Sequence, residues 1–156
     1  PRSSSSAASD VYKRQGTMGF ILNKPLIDVS LEAIWTNIGY ENKNPFFTNE
    51  DVCIGGPLAS NAMFVIHSSE YFIDKKTIKV CEEISVTGTK EITDDIQKGQ
   101  GPRKAIFLLG YSGWIPGQLE DEIMRDSWFV SEKFQNLIFN VDYQTEVDRC
   151  IITYRN

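Results

Sequence analysis

One stretch constrains the fold of this chain more than any other: Ile106–Met124, which reads IFLLGYSGWIPGQLEDEIM. Ala105–Leu109 is a continuous apolar run, which suits a strand covered on both faces better than one with a wet side. Gly110 and Gly113 supply backbone freedom, so the strand is expected to end there in a glycine-rich turn. Trp114 and Ile115 are large apolar residues in that turn and are expected to fold back over the core. Pro116 is pre-set near helical φ; with Gly117 and Gln118 after it, the pattern reads as a helix start. The helix is predicted over Gln118–Arg125, with Leu119 and Ile123 on its apolar face and Met124 and Trp128 beside them. Glu120, Asp121 and Glu122 crowd its first turn, where the helix dipole favours negative charge by ~0.3–1 kcal/mol each.

Three readings of this corner compete. A glycine-rich strand-to-helix turn can aim free N–H groups at an anion, but three carboxylates beside the helix start oppose a phosphate. Gly110-Tyr111-Ser112-Gly113 shares part of the G-x-S-x-G nucleophile elbow, but Trp114 stands where the closing glycine belongs. The third reading, which the pattern favours, is a rigid strand–turn–helix corner plugged by Trp114.

The rest of the composition excludes several function classes. The 156 residues suit one domain with a core that needs no disulfides. The sequence holds no apolar run long enough to span a membrane as a helix, and no signal-peptide core at its start. Cys53, Cys81 and Cys150 are odd in number and widely spaced. They read as free thiols in a reducing, cytoplasmic compartment and give no zinc spacing, so neither a metal nor a cofactor is expected. Ser5–Gln15, SSAASDVYKRQ, is similar to a translated sequencing adapter. Residues 1–15 are therefore expected to be a non-native, disordered tail, and 16–156 a single domain. The tail carries net +2 through Arg2, Lys13 and Arg14 against Asp10. Without it the charge falls from −5 to −7. An acidic chain lacks the basic stripe of a direct nucleic-acid binder.

In chain order, Met18–Leu22 is strand-like and is closed by Asn23-Lys24-Pro25. A helix is predicted over Leu31–Ile38, capped by Ser30 and ended by Gly39. Glu41–Glu50 reads as a loop. Asp51–Ile54 is a short strand running into the tight turn Gly55-Gly56-Pro57, which lacks the glycine spacing and lysine of a phosphate loop. Ala62–His67 is a strand. His67, the single histidine, has no visible nucleophile, orienting acid or metal partner, and reads as a structural strand-end residue. Tyr71–Val80 reads as a hairpin or two short strands, and Ile84–Thr87 as another strand. A helix over Glu91–Lys98 is predicted with Thr89 or Thr93 as cap. Beyond the central corner, Trp128–Val130 is strand-like, Phe134–Phe139 is an aromatic patch over the core, and Gln144–Tyr154 suggests a terminal helix.

Several signatures stand in order: MGFILNKPL from Met18, IGGPL from Ile54, MFVIHSS from Met63, ISVTGTKEITDDIQKGQGP from Ile84, LLGYSGWIPGQLEDEI from Leu108 and DSWFV from Asp126. This series resembles the bacterial YqgE/AlgH family over Gly16–Phe139, whereas Tyr143–Asn156 matches it poorly. The resemblance implies an α+β fold, with a bent, bifurcated, mostly antiparallel sheet forming a pseudo-barrel packed by helices. It also implies that a first strand native to the family is missing, leaving an unpaired edge or gap. Members often carry alanine at the position of Ser112, which demotes it as a nucleophile. Some members are labelled transcriptional regulators; for an acidic chain without a helix-turn-helix pattern, such a role is expected to be indirect.

The functional expectation is a non-enzymatic binding or regulatory module acting through a protein or small-ligand partner. Its expected surface is a mouth formed by Asn23, Lys24 and Pro25, Gly55, Gly56 and Pro57, and Gly113, Trp114, Gly117 and Gln118. His67 and Glu120 are further candidates. The alternative is a small-molecule enzyme using polar groups on the same turns, which requires His67 and Gly113–Glu120 to share one pocket. A third possibility is assembly through the aromatic patch.

Overall fold

The strand β6, Ala105–Trp114, is the axis of the molecule. The computed structural model describes residues 16–26, 33, 34, 36, 52–128, 130, 138, 139 and 151–155, the last five by their backbone. Among them β6 is preceded by β1 (Thr17–Ile21), β2 (Val52–Ile54), β3 (Leu58–Ser68), β4 (Thr77–Lys79), β5 (Ile84–Thr87) and helix α1 (Lys90–Gln97). Helix α2 (Gln118–Met124) and β7 (Ile151–Arg155) follow it. The strands form one sheet in the order β4-β5-β3-β6-β1-β7, with β2 branching from β6.

The branch makes the sheet bifurcated. Along one edge of β6, Phe107–Leu109 pairs in parallel with β2. Farther along, Ser112–Trp114 pairs antiparallel with β1. β3 pairs antiparallel with β6 from His67↔Ala105 to Met63↔Leu109, then slips register before Leu58↔Tyr111. Gly110, at φ +75°, sits at this slip, as does Ala59 at φ +46° across from it. Across the slip β3 advances five residues while β6 advances two, and extra residues in one strand bend and twist the ladder. Gly110 therefore bends the strand without ending it, and the glycine-rich turn expected after Leu109 is strand through to Trp114.

Alternation along the strands divides the core in two. Ile66, Leu108, Cys53, Ile84 and Val86 pack with Phe20, Leu22 and Ile138. Val65, Phe107 and Val52 point the other way and pack with Ile34 and with Ile92 and Ile96 of α1. Sequence neighbours thus belong to opposite cores, which explains why the central strands read as unbroken apolar runs. Each fully buried Phe, Leu or Ile contributes roughly 1.5–3 kcal/mol. α1 ends one residue earlier than predicted, and Thr89 occupies the cap position with extended dihedrals and no side-chain capping bond.

Three segments differ from the sequence reading. Within Tyr71–Val80 only Thr77–Lys79 is strand; Ile73 accepts N–H bonds from Lys76 and Thr77 and turns the chain. Trp128 and Val130 are irregular, because Trp128 turns its ring against Trp114. Ile151–Arg155 is strand instead of helix and pairs with the whole of β1. Its β-branched run, Ile151-Ile152-Thr153, favours the extended backbone. Ala33, Ile34 and Thr36 are helical as predicted; the remainder of that helix, residues 41–50, Phe134 and Leu137 lie outside the described residues.

The fork depends on close backbone approach. A Cβ on Gly56 would lie 2.2 Å from the carbonyl carbon of Tyr111, whereas one on Gly113 would meet side chains alone, the end of Leu58 at 3.1 Å and the Tyr111 ring at 3.7 Å. Gly56→Ala should therefore lower stability by about 2 kcal/mol or more, and Gly113→Ala by less than about 1 kcal/mol. Urea midpoints of the two variants measure the difference.

Candidate functional site

The structure separates the sequence-predicted site residues into three places. The first is the crotch of the fork. Gly55 donates its N–H to the Leu109 carbonyl at 2.8 Å, and its own carbonyl accepts from the Ile21 N–H at 2.8 Å. The Ser112 hydroxyl reaches the same carbonyl at 3.4 Å. Asn23-Lys24-Pro25 lies along the free side of β2: the Lys24 carbonyl accepts from Ile54 N–H at 2.8 Å, and Pro25 bridges Cys53. The first two turns therefore meet, through main-chain bonds. Gly55 and Gly56 are buried, and Pro57 and Lys24 reach solvent.

The second place is the corner after β6. Thr17 of β1 faces Trp114, while Ile21 touches Gly55. The length of β1, roughly 13 Å at ordinary strand rise, thus sets Trp114 off from Gly55, whereas Gly113 stays beside the crotch: a Cβ there would meet the Leu58 side chain, next to Pro57, at 3.1 Å. Trp114 is buried and stacks edge-on against Trp128 at 6.1 Å. Both indole N–H groups donate to one carboxylate oxygen of Glu122, at 3.0 Å from Trp114 and 2.7 Å from Trp128. Gln118 donates to the other oxygen at 3.2 Å, and its own side-chain oxygen accepts from the Ile115 N–H. The bonds from Trp128 and Trp114 hold the Glu122 carboxyl below the usual carboxylate range. Gly117, at φ +84°, precedes the helix, and Glu120 is half-buried. Glu122, not Glu120, is the centre of this corner. The i, i+4 spacing from Gln118 was its one sequence signal; the two tryptophans meet only in space.

The third place holds His67, at the opposite end of β6. His67 pairs with Ala105 and Trp114 with Thr17, so nearly the whole of this ten-residue strand intervenes, on the order of 20–30 Å. One substrate cannot touch both His67 and the Gly113–Glu120 corner. His67 is fully buried and its bonds form a directed chain. Ile73 N–H donates to the Thr77 hydroxyl at 2.9 Å, and the Thr77 hydroxyl shares a hydrogen bond with that of Thr87 at 2.8 Å. Thr87 then donates to His67 Nε2 at 2.8 Å, and Nδ1–H donates to the Ser68 carbonyl at 2.9 Å. The Ser68 carbonyl places a proton on Nδ1, and in the neutral ring Nε2 is then the acceptor for Thr87. Burial accordingly holds His67 below the usual histidine range, against the Ser68 carbonyl and the Glu70 charge, which pull the other way. Tyr71 stands edge-on to the ring and donates to Asp95 at 2.6 Å, tying this network to α1.

Beside His67 lies a cleft that the sequence reading missed. Its volume is about 610 Å³, and it opens at the shared end of β5, β3 and β6. Ser68, Ser69 and Glu70 form one side, Lys79, Glu82 and Glu83 another, and Arg103, Lys104 and Phe139 a third. Burial would raise the Glu70 carboxyl, but the Arg103 N–H at 2.5 Å and the Ser68 hydroxyl at 2.9 Å outweigh it and leave the group lowered. The Arg103 guanidinium stands 3.6 Å from the same oxygen. In sequence these residues are ordinary polar strand ends. Only the registers Ser68↔Ile84 and His67↔Ala105 bring them together. Among the described residues no group of three or more His, Cys, Asp or Glu is placed to hold a metal ion, and no helix is long and apolar enough to cross a membrane.

A bent, bifurcated sheet with helices packed on it and a fork closed by glycine backbones defines an α+β protein of the pseudo-barrel type. A family model described as AlgH-like matches residues 11–152. The UPF0301 protein of Rhizobium meliloti strain 1021 is 38% identical over 145 residues, covering 90% of this chain and 72% of that protein. The UPF0301 protein of Methylobacterium sp. strain 4-46 is 34% identical over 146 residues, covering 90% and 70%. The solution structure of the AlgH protein from Pseudomonas aeruginosa matches with a TM-score of 0.68 and 27% identity, over 81% of this chain and 66% of that one. The chain therefore belongs to the AlgH-like, UPF0301 family. The family match begins inside the adapter-like stretch and extends through most of the tail that resembled the family poorly.

Two outcomes follow from these networks. The unfolded histidine protonates near pH 6.5, and the folded one only at lower pH, so the stability linked to His67 is full above about pH 6.5 and is lost as pH falls towards the lowered folded value. The urea midpoint of the wild-type chain should fall between pH 7.5 and 5.5 more than that of His67→Gln. For the corner, Glu122→Ala should free both indoles, shift tryptophan emission to the red and lower the urea midpoint at pH 7.

Proposed function

We propose that this chain is a non-enzymatic, cytoplasmic binding module with an indirect regulatory role, exerted through a protein or small-ligand partner and not by contact with DNA. The observation that carries this reading is the cleft of about 610 Å³ at the end of β5, β3 and β6, lined by charges of both signs. Its volume lies in the range of small-molecule sites, about 300–1,000 Å³. The groups that would suit covalent or acid–base chemistry serve the fold instead. His67 is held neutral between Thr87 and Ser68, and Ser112 leans on the Gly55 carbonyl. The net charge of −5 opposes a phosphate backbone.

Thermal shift against a library of polar metabolites tests the proposal. A ligand at 100 times its Kd should stabilise the chain by roughly 2.7 kcal/mol, and Lys104→Glu should abolish the shift. The reading fails if no compound stabilises the chain, or if every shift survives Lys104→Glu. Retarded migration with duplex DNA at physiological salt would also overturn it.

A further inference from the structure

We propose that the cleft beside His67 takes a zwitterionic ligand, a free amino acid or short peptide, with its carboxylate at one of the lysines, Lys79 or Lys104, and its ammonium at one of the glutamates, Glu82 or Glu83. This rests on the binding reading above and names the ligand's chemistry. The charges around the cleft fall into two groups. Glu70 and Arg103 are already engaged with each other: the Glu70 carboxylate accepts from the Arg103 N–H and the Ser68 hydroxyl and faces the guanidinium. Lys79, Glu82 and Glu83 form no ion pair among the described residues. Lys104 has no carboxylate partner there either; its amine stands 6.0 Å from the centre of the Phe139 ring. Two ammonium groups and two carboxylates therefore border one cleft without neutralising each other.

That pattern selects by sign. A simple anion entering beside either lysine also meets the fields of Glu82 and Glu83. A simple cation beside the two glutamates meets the two lysines. A molecule bearing both charges satisfies both sides, and like-charge juxtaposition penalises ligands lacking one of them. The positions are held by main-chain bonds. Ser69 N–H donates to the Glu83 carbonyl at 3.2 Å, and Ser68 N–H to the Lys104 carbonyl at 3.1 Å. The Lys104 N–H donates to the Ser68 hydroxyl at 3.1 Å. The backbones carrying a cation and an anion are thus fastened to the same end of β3, while their side chains remain in solvent. Phe139 adds an apolar wall against which a side chain or a peptide stem can rest.

The test is a titration of the ¹⁵N-labelled full chain with alanine, trialanine, N-acetyl-trialanine, trialanine amide and inorganic phosphate, read at the backbone amides of Ser69, Glu83 and Lys104. Alanine or trialanine should move these amides, and whichever binds more tightly identifies the ligand as amino acid or peptide. Blocking either terminus should weaken binding tenfold or more. Glu82→Gln with Glu83→Gln should remove the discrimination against N-acetyl-trialanine, and Lys79→Met with Lys104→Met the discrimination against the amide. All four side chains are solvent-exposed, and an unchanged spectrum away from the cleft verifies the fold of each variant. If phosphate or a blocked peptide binds as tightly as the free one, the zwitterion assignment is wrong while the cleft remains a binding site. If none of the five probes moves the three amides, the zwitterion assignment fails; the metabolite screen then decides separately whether the binding reading survives.

Discussion

The structure depends on the contact between two stretches of bare backbone at the fork of the sheet. Gly55 is bonded on one side to β6 and on the other to the end of β1. A Cβ on Gly55 would fall 2.4 Å from the Gly110 carbonyl oxygen, and one on Gly110 would fall 2.5 Å from that of Gly56. No side chain fits on either partner. Because the backbones touch, β6 can hold β2 along its first half and β1 along its second. Because Gly110 takes a left-handed conformation, the strand bends there without losing its pairing to β3. The apolar residues of both cores are then carried by one continuous strand.

This arrangement also determines where polar chemistry can sit. The fork end of β6 is closed by main-chain bonds and by the paired tryptophans over Glu122. The other end opens into polar loops, with His67 buried beneath them. The threonine–histidine chain there joins β3, β5, the Ile73–Thr77 turn and, through Tyr71 and Asp95, helix α1. Burial of the ring within that chain disfavours the charged imidazole. A buried polar network of this kind orients the loops around the cleft more sharply than apolar packing would, because each unmade bond has its full desolvation cost. The cleft is therefore mounted on a rigid base while its charged side chains extend into water.

Much of the fold was legible in the residues. The apolar run at Ala105–Leu109 read as a strand buried on both faces and Ala62–His67 as a strand, and Ile84–Thr87 and the α1 and α2 helices fall within a residue or two of their predicted bounds. Each of these signals is local: run length, 3.6-residue spacing, or a proline and glycine at a helix start. Two kinds of misreading have one cause. Gly110 and Gly113 suggested a turn because a glycine pair is a turn signal until a partner strand supplies hydrogen bonds. Gln144–Tyr154 suggested a helix because Val147, Cys150 and Ile151 share a helical face. Its last five residues are nevertheless strand, since β1 offers them a ladder.

By itself the sequence determined the two-faced apolar strands, the acidic balance, the glycine punctuation and the family resemblance, because these reside in single residues and short spacings. The tertiary structure alone decided that Gly55 and Gly110 must touch, that Glu122 gathers both tryptophans, and that His67 is wired to Thr87. It alone placed Lys79, Glu82, Glu83 and Lys104 around one cleft. Those groupings depend on strand order and register, and the register of a sheet is set by all its strands together, not by any one of them.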